Sequence, residues 1–424
     1  MADKHIVIIG AGIVGLSTAY ECLKRGMKVT VIERESEDHR GCSWGNAGYI
    51  TPSHFVPLPA PGMVALGTKM MLNPEGPFTL QLPPKLQTLK WALSFARHCS
   101  AQHVDRVSPI IRDINLLAVD VHSEMAEICG IPQSPIKRGC MMLCAEEKTL
   151  AYESMLIQKA KELQLDARLL TAEEVEQMQG GMKVNAAGAV YFSCDADITP
   201  EDLMIGLKNQ IRKGGGTIEY NTSVKRIIAD PHGIKSLQVS HARGETQVIR
   251  GDHYVLAAGT WTSQIARDLH LEIPIVPGRG HSMTVTDPPI RPQIPMILIE
   301  GRVAITPMRH GVRFGGTMVV GGWKQRVSHG RVRGIIKQTC KVLPQFDRSV
   351  FKNQEVWTGL RPCSPDGLPL IGRPADLENC TIASGHAMMG LSLGPPTGRL
   401  VAQDIAGEPL SMPWHAFSPN RFIR

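Results

Sequence analysis

No run of roughly 18 apolar residues free of charge occurs in the sequence, so no segment reads as a helix spanning a bilayer. The chain opens directly on a strand-like stretch, with neither a basic n-region nor a small-residue cleavage site, and secretion is not expected. Aromatic residues make up only 5% and no stripe of Lys and Arg interleaves with them, so a net charge of +7 on 424 residues predicts no nucleic-acid partner. There is no C-x-x-C and no spaced Cys/His quartet, which excludes the usual structural zinc sites and predicts no metal. Ten cysteines in a chain this long read as free thiols in a reducing compartment. The expected location is cytoplasmic, with association to the inner face of the cell membrane left open. No acidic residue and histidine stand at a spacing that suggests an acid–base couple.

What the sequence does contain is a dinucleotide signature. His5 to Ile9 is a short apolar run, Gly10, Gly12 and Gly15 form G-x-G-x-x-G, helical spacing follows, and Lys28 to Ile32 is a second strand ending on Glu33. Gly10 permits the tight turn, Gly12 lets backbone approach a pyrophosphate, and Gly15 lets the helix lie close to the sheet. The amides at the helix start, around Ile13 and Val14, would face the phosphates. Leu16, Ala19, Tyr20 and Leu23 share the face that packs on the sheet. Glu33 is placed to accept hydrogen bonds from a ribose diol, with Arg34 beside it. This unit does not by itself separate FAD from NAD.

Further segments have the composition of ligand-facing loops. Gly41, Gly45 and Gly48, with Ser43, Asn46 and Ala47, make a small-residue loop that can wrap a planar ligand or simply turn at the surface. Residues 55–99 carry seven prolines up to Pro84, which argue against a long regular element, together with Met63, Val64, Leu66, Met70, Met71, Leu86, Leu89 and Leu93. That stretch reads as a lid, a membrane-surface patch or part of the core. A helix is expected over 104–129, a strand at Cys140 to Cys144, a helix from Leu150, a capping box at Thr171 with Glu174, and a strand at 188–192. Thr199 is expected to cap the helix that begins at Pro200. Strands near Val224 and at 251–257 lead into Ala258, Gly259 and Trp261, another site of close backbone approach. Residues 271–350 alternate strands and turns: 275–276, 281–285, 296–299, 303–306, 312–314 and 318–320, followed by a helix at 332–342.

With WTGLRPCSPDGLPLIGR and SGHAMMGLSLGPPTGRLVAQDIAG at its C-terminal end, GNAGYITP in its loop and APGM in the proline-rich stretch, the chain resembles the flavin amine oxidoreductases of the D-amino acid oxidase and glycine oxidase fold family. Within that family it is most similar to the D-amino acid dehydrogenase type. The resemblance runs over essentially the whole length. It implies an α/β fold: a Rossmann-like FAD-binding domain interleaved with an α+β substrate domain that contains a mostly antiparallel sheet. The expected division is 1–90, 195–270 and 351–424 for the FAD-binding domain, and 91–194 and 271–350 for the substrate-binding domain. The cofactor implied is FAD, held noncovalently, because Cys363 does not match the cysteine of the covalent members.

The resemblance gives Arg361 the role of holding a substrate carboxylate, and a planar guanidinium on a stiff Leu-Arg-Pro backbone suits that bidentate task. Arg302 and Arg309 are alternatives, with His310 weaker still. His386 either lines the flavin face or satisfies its turn. Leu370 to Gly372 is expected to bring a strand end to the cofactor, and Gly390, Leu391, Ser392 and Leu393 form a loop leading into a final helix whose N-terminus would stabilise charge on the flavin. The implied reaction is oxidation of the Cα–N bond of a D-amino acid to an imine. D-proline or D-hydroxyproline dehydrogenation, oxygen-using oxidation of glycine or sarcosine, and an idle flavin-fold subunit are the alternatives. Implied partners are a small amino-acid or imino-acid substrate, a quinone or other electron acceptor, and a peripheral membrane contact.

Overall fold

The computed structural model describes residues 4–71, 73–131, 134–242 and 244–422. Its N-terminal unit is strand His5–Ile9, helix Ile13–Lys24 and strand Lys28–Ile32, the two strands pairing in parallel. A Cβ at position 15 would stand 1.9 Å from the Gly10 carbonyl oxygen, so helix and strand meet at this distance only because residue 15 is glycine. Gly10 itself has φ of +110°, and a Cβ there would come within 2.6 Å of the Ala257 carbonyl oxygen.

Around this unit lies a six-stranded sheet in the order Leu370–Gly372, Cys380–Ser384, His253–Leu256, His5–Ile9, Lys28–Ile32, Thr217–Glu219. Its strands come from three separated parts of the chain, which is the interleaving expected. A second sheet of nine strands follows the order Val356–Cys363, Val276–Val285, Gly311–Val320, Val303–Met308, Met296–Leu298, Cys140–Cys144, Gly188–Phe192, Ala167–Thr171, with Phe78–Leu80 paired beside Gly311–Val320. Its pairings are antiparallel except for Met296–Leu298 with Cys140–Cys144 and Phe78–Leu80 with Gly311–Val320. The fold is therefore a Rossmann-like domain joined to a mixed α+β domain. Strands Thr222–Asp230, Gly233–His241 and Thr246–Ile249 make a separate small sheet.

Several local expectations need correction. The two pieces at 275–276 and 281–285 belong to one strand, Val276–Val285, and 312–314 and 318–320 likewise belong to Gly311–Val320. Glycines at 278, 280, 315 and 316 lower strand propensity, but neighbours on both sides supply the ladder that propensity does not. The proline-rich stretch does hold helices, Met63–Met71 and Leu86–His98, fitted between and after its prolines. Helix Ala101–Ile128 is not a substrate-domain element: Val107, Ile111, Ile114, Ala118, Val121 and Met125 share the core of Leu16 and Val401. Val356–Cys363, in turn, is the edge of the substrate sheet. Thr171 forms its capping box with Glu174, whereas Thr199 accepts from the Arg309 amide at 3.1 Å and leaves its own helix uncapped by a side chain.

The largest correction concerns the C-terminal helix, which spans Gly390–Ala406 and so converts the expected loop into its first turns. Pro395 and Pro396 lie inside it and cannot donate to the carbonyls of Leu391 and Ser392, four residues back. His122, from helix Ala101–Ile128, supplies the missing donor: its Nε2 reaches both carbonyls at 3.1 Å. Burial pushes the His122 pKa down to about 4, so the ring is neutral and carries its proton on Nε2. Replacing His122 with leucine leaves two buried carbonyls without a donor and is expected to cost roughly 1–3 kcal/mol in urea unfolding. Wild-type stability in His122→Leu would show that the helix closes over its prolines unaided.

Candidate active site

A cavity of about 980 Å³ runs from the first Rossmann strand to the inner face of the nine-stranded sheet. At its nucleotide end, the Glu33 carboxylate accepts from the amides of Ala11 at 2.8 Å and Glu35 at 3.1 Å. Ser43 Oγ accepts from the Ile13 amide at 3.0 Å, so the glycine-rich loop closes onto the start of the first helix. Arg34 lies over the Trp261 ring, 3.7 Å from its centroid, and pairs with Glu35 at 2.9 Å. Val14, Val224, Ala258 and Gly259 complete this part of the wall.

The loop beneath the middle of the cavity is held from the substrate sheet. Arg313 Nη1 donates to the carbonyls of Trp44 at 3.0 Å and Asn46 at 2.8 Å, and Thr306 Oγ1 donates to the Ala47 carbonyl at 2.7 Å. Asn46 in turn donates to the Met388 carbonyl at 3.2 Å, tying the loop to the start of the C-terminal helix. Gly45 is required because a Cβ would lie 2.1 Å from the Trp357 ring. Gly390, Leu391 and Ser392 line the cavity, so a helix start borders it.

At the far end stands Arg361, on strand Val356–Cys363. Its Nη1 donates to the Thr317 carbonyl at 2.8 Å, and among the described residues no carboxylate pairs with it. Its guanidinium occupies the space that a side chain at Gly280 would fill: a Cβ there would be 1.9 Å from Nη1. The neighbouring His281 is neutral, its pKa pushed down to about 4 by burial and then by Arg279 and Arg361, with Nδ1 bonded to Thr317 Oγ1 at 2.8 Å. His386 lines the cavity, and its Nε2 bonds Thr397 Oγ1 of the C-terminal helix at 2.9 Å. Burial pushes its pKa down to about 3. Arg302 also lines the cavity, at φ of +49°, its side chain without a hydrogen-bond or ion-pair partner among the described residues.

Some expected contacts fall outside the wall. Gly15, Gly48 and Leu393 stand behind it, Gly15 in helix–strand packing, Gly48 with φ of +79° against the Ile198 carbonyl, and Leu393 in the core. Leu370–Gly372 is an edge of the Rossmann sheet and does not reach the cavity. Arg309 pairs with Asp202 at 3.1 Å on an exposed turn with His310. Conversely Cys42, Tyr49, His54, Tyr220 and Trp357 line the cavity and carried no expected role. Trp357 left a legible trace in the WTGLRP string, and Tyr49 in GNAGYITP. Among the described residues no cluster of His, Cys, Asp and Glu could hold a metal.

The site fits a flavin dinucleotide. The glycine turn presents no side chain: a Cβ on Gly12 would meet only Ser43 Oγ, at 3.6 Å. Two polar atoms in the wall, Tyr220 OH and Ser364 Oγ, have no hydrogen-bond partner among the described residues, as groups awaiting a ligand would. The sequence model of the FAD dependent oxidoreductase family (DAO) matches residues 5–404, and the chain belongs to that family. It is 27% identical over 428 aligned positions to a D-amino acid dehydrogenase of Bradyrhizobium diazoefficiens, covering 98% of each chain. Among solved structures it resembles the glycine oxidase of Geobacillus kaustophilus, with TM-score 0.74, 21% identity and all of both chains covered. It also resembles the L-proline dehydrogenase of P. horikoshii, with TM-score 0.73, 21% identity and 99% and 98% coverage.

Glu33 organises the turn that must receive the nucleotide. Glu33→Ala is expected to weaken FAD binding about tenfold or more, equivalent to ~1.4 kcal/mol, read as flavin lost during gel filtration. Full retention of flavin would remove Glu33 from the binding site.

Proposed function

We propose that this chain oxidises the Cα–N bond of a D-amino acid with noncovalently held FAD, and passes the electrons to a respiratory acceptor rather than to oxygen. The observation that carries this reading is Arg361: an enclosed guanidinium without a carboxylate partner among the described residues, in the same cavity as the dinucleotide turn. Such a group suits the α-carboxylate of a substrate, which it can grip through both oxygens. The D-amino acid dehydrogenase likeness over 98% of both chains supports the substrate class.

When bound, FAD supplies the hydride acceptor. The chain supplies position and field. Arg361 fixes the carboxylate and hence Cα, while the start of helix Gly390–Ala406 contributes positive potential at the cavity. His281 and His386 stay neutral and add no competing charge. The released imine is hydrolysed by water to a 2-oxo acid and ammonia. Noncovalent attachment is supported by the cysteines: Cys363 does not face the cavity, and burial pushes the Cys42 thiol up to about 12, away from the reactive thiolate.

Helix Leu86–His98 supports a lipid-soluble acceptor. Trp91, Ala92 and Phe95 on one face line the cavity, yet Leu86 and Leu93 on the outer side are 70% and 64% exposed, with Leu82 just ahead at 66%. A surface helix apolar on both sides needs a second covering. Lys85, Lys90 and Arg97 lie on it or just ahead of it, Lys90 meeting Glu272 at 3.8 Å, and the only acid between 55 and 104, Glu75, is engaged by Lys337 at 3.2 Å. This apolar, basic surface fits an anionic bilayer. No helix among the described residues is long and apolar enough to cross one.

Anaerobic addition of D-alanine, D-phenylalanine, D-proline, D-hydroxyproline, glycine and sarcosine is expected to bleach the flavin fastest with the primary D-amino acids. Bleaching only by cyclic or N-methylated amines would assign a secondary-amine substrate. Arg361→Ala should lower kcat/KM by roughly 100-fold or more at unchanged flavin content, and unchanged kinetics would reject the anchor. Sedimentation with phosphatidylglycerol vesicles, absent with neutral phosphatidylcholine, should fall about tenfold in Leu86→Glu/Leu93→Glu. A wild-type dimer that the same substitutions split, without vesicle binding, would make the face a self-interface.

A further inference from the structure

Amine oxidation by hydride loss needs a neutral nitrogen, whereas an amino acid at neutral pH arrives as its ammonium form. Along the cavity wall three side chains form a continuous hydrogen-bonded line leading away from the substrate space. His54 lines the cavity, and its Nδ1 bonds Ser53 Oγ at 3.1 Å. Ser53 Oγ donates to Asp195 Oδ2 at 2.5 Å, and the Ser53 amide donates to Asp195 Oδ1 at 3.0 Å. With Asp195 ionised, the single serine proton goes to the carboxylate and His54 donates from Nδ1, which leaves the Nε2 lone pair free. We propose that His54, Ser53 and Asp195 are a relay that takes the proton from the substrate ammonium before the C–H bond breaks. This rests on the amine-oxidation reading given above.

The step is balanced. One N–H bond of the ammonium breaks and the proton goes to His54 Nε2; the Nδ1 proton moves to Ser53 Oγ; the serine proton moves to Asp195. The ammonium becomes an amine and the carboxylate a neutral acid, and the proton returns to solvent by the reverse path when product leaves. The surroundings favour this direction. Burial, and then the charge of Arg302, disfavours a lasting imidazolium on His54, so the proton passes on rather than resting on the ring. Tyr49 is the other ring beside His54, at 6.5 Å between centroids. Around Asp195 stand Cys194, Cys140 and Tyr191, none of them cationic, while Asp197, two residues on, is occupied by Arg138 at 2.7 and 2.6 Å. Burial raises the Asp195 pKa to about 7, which matches a carboxylate that holds a proton briefly near neutrality.

The test compares flavin bleaching by a D-amino acid across pH in the wild-type holoenzyme, Ser53→Ala and His54→Gln. Both variants are expected to slow by roughly 100-fold at pH 7 and to return to within a few-fold of wild type near pH 10, where the amine arrives already neutral. Their affinity for benzoate, read from the shift it causes in the flavin spectrum, should stay within about twofold, because Arg361 is untouched. Equal slowing at both pH values, or a loss of benzoate affinity, would overturn the relay and leave these residues a purely structural part. His54→Gln keeps the Ser53–Asp195 contact, so it decides the matter if Ser53→Ala does not fold. A wild-type flavin that no amine bleaches would instead reject the amine-oxidation reading, and the relay with it.

Discussion

A positive charge enclosed with no negative partner among the described residues is the constraint around which this end of the cavity is built. An unpaired buried ion costs several kcal/mol unless polar groups meet it. Arg361 meets the Thr317 carbonyl and packs into the space left by Gly280, on a strand held by the Val276–Val285 ladder. Among the described residues the cation is thus met by a carbonyl and by no carboxylate. The same need accounts for Gly280 in the middle of its strand, where packing alone would favour a β-branched residue.

The cofactor end answers the opposite demand, close backbone approach. Gly10 and Gly15 let the first helix sit against its strand, and Ser43 folds the next loop onto the helix start. The C-terminal helix brings its own first turn to the cavity although two prolines interrupt its bonding, because His122 crosses from another helix to serve the orphaned carbonyls. One imidazole therefore couples helix Ala101–Ile128 to the cavity wall. This explains why that helix belongs with the nucleotide core.

Periodicity and glycine spacing made the Rossmann unit, the Thr171 capping box and most strands of the substrate sheet legible before any coordinates. What stayed hidden was relational. The helical repeat in Ala101–Ile128 identifies an apolar face but not the core it joins. The strand through Gly278 and Gly280 read as two pieces because the ladder that sustains it pairs Val276 with Cys363 and Gly278 with Arg361, far away in sequence. His54 and Ser53 meet Asp195 across 142 residues, and no local motif records that meeting. Leu370 to Gly372 looked like a cofactor-facing strand end, whereas the sheet order puts it at an edge.

The account depends most on Arg361 receiving the substrate carboxylate. A crystal structure of the FAD-loaded protein with a non-oxidisable carboxylate such as benzoate tests this directly. Both carboxylate oxygens are expected on the Arg361 guanidinium, with the remainder of the ligand between it and the flavin. A carboxylate bound instead at Arg302, with Arg361 still held only by Thr317, would contradict it.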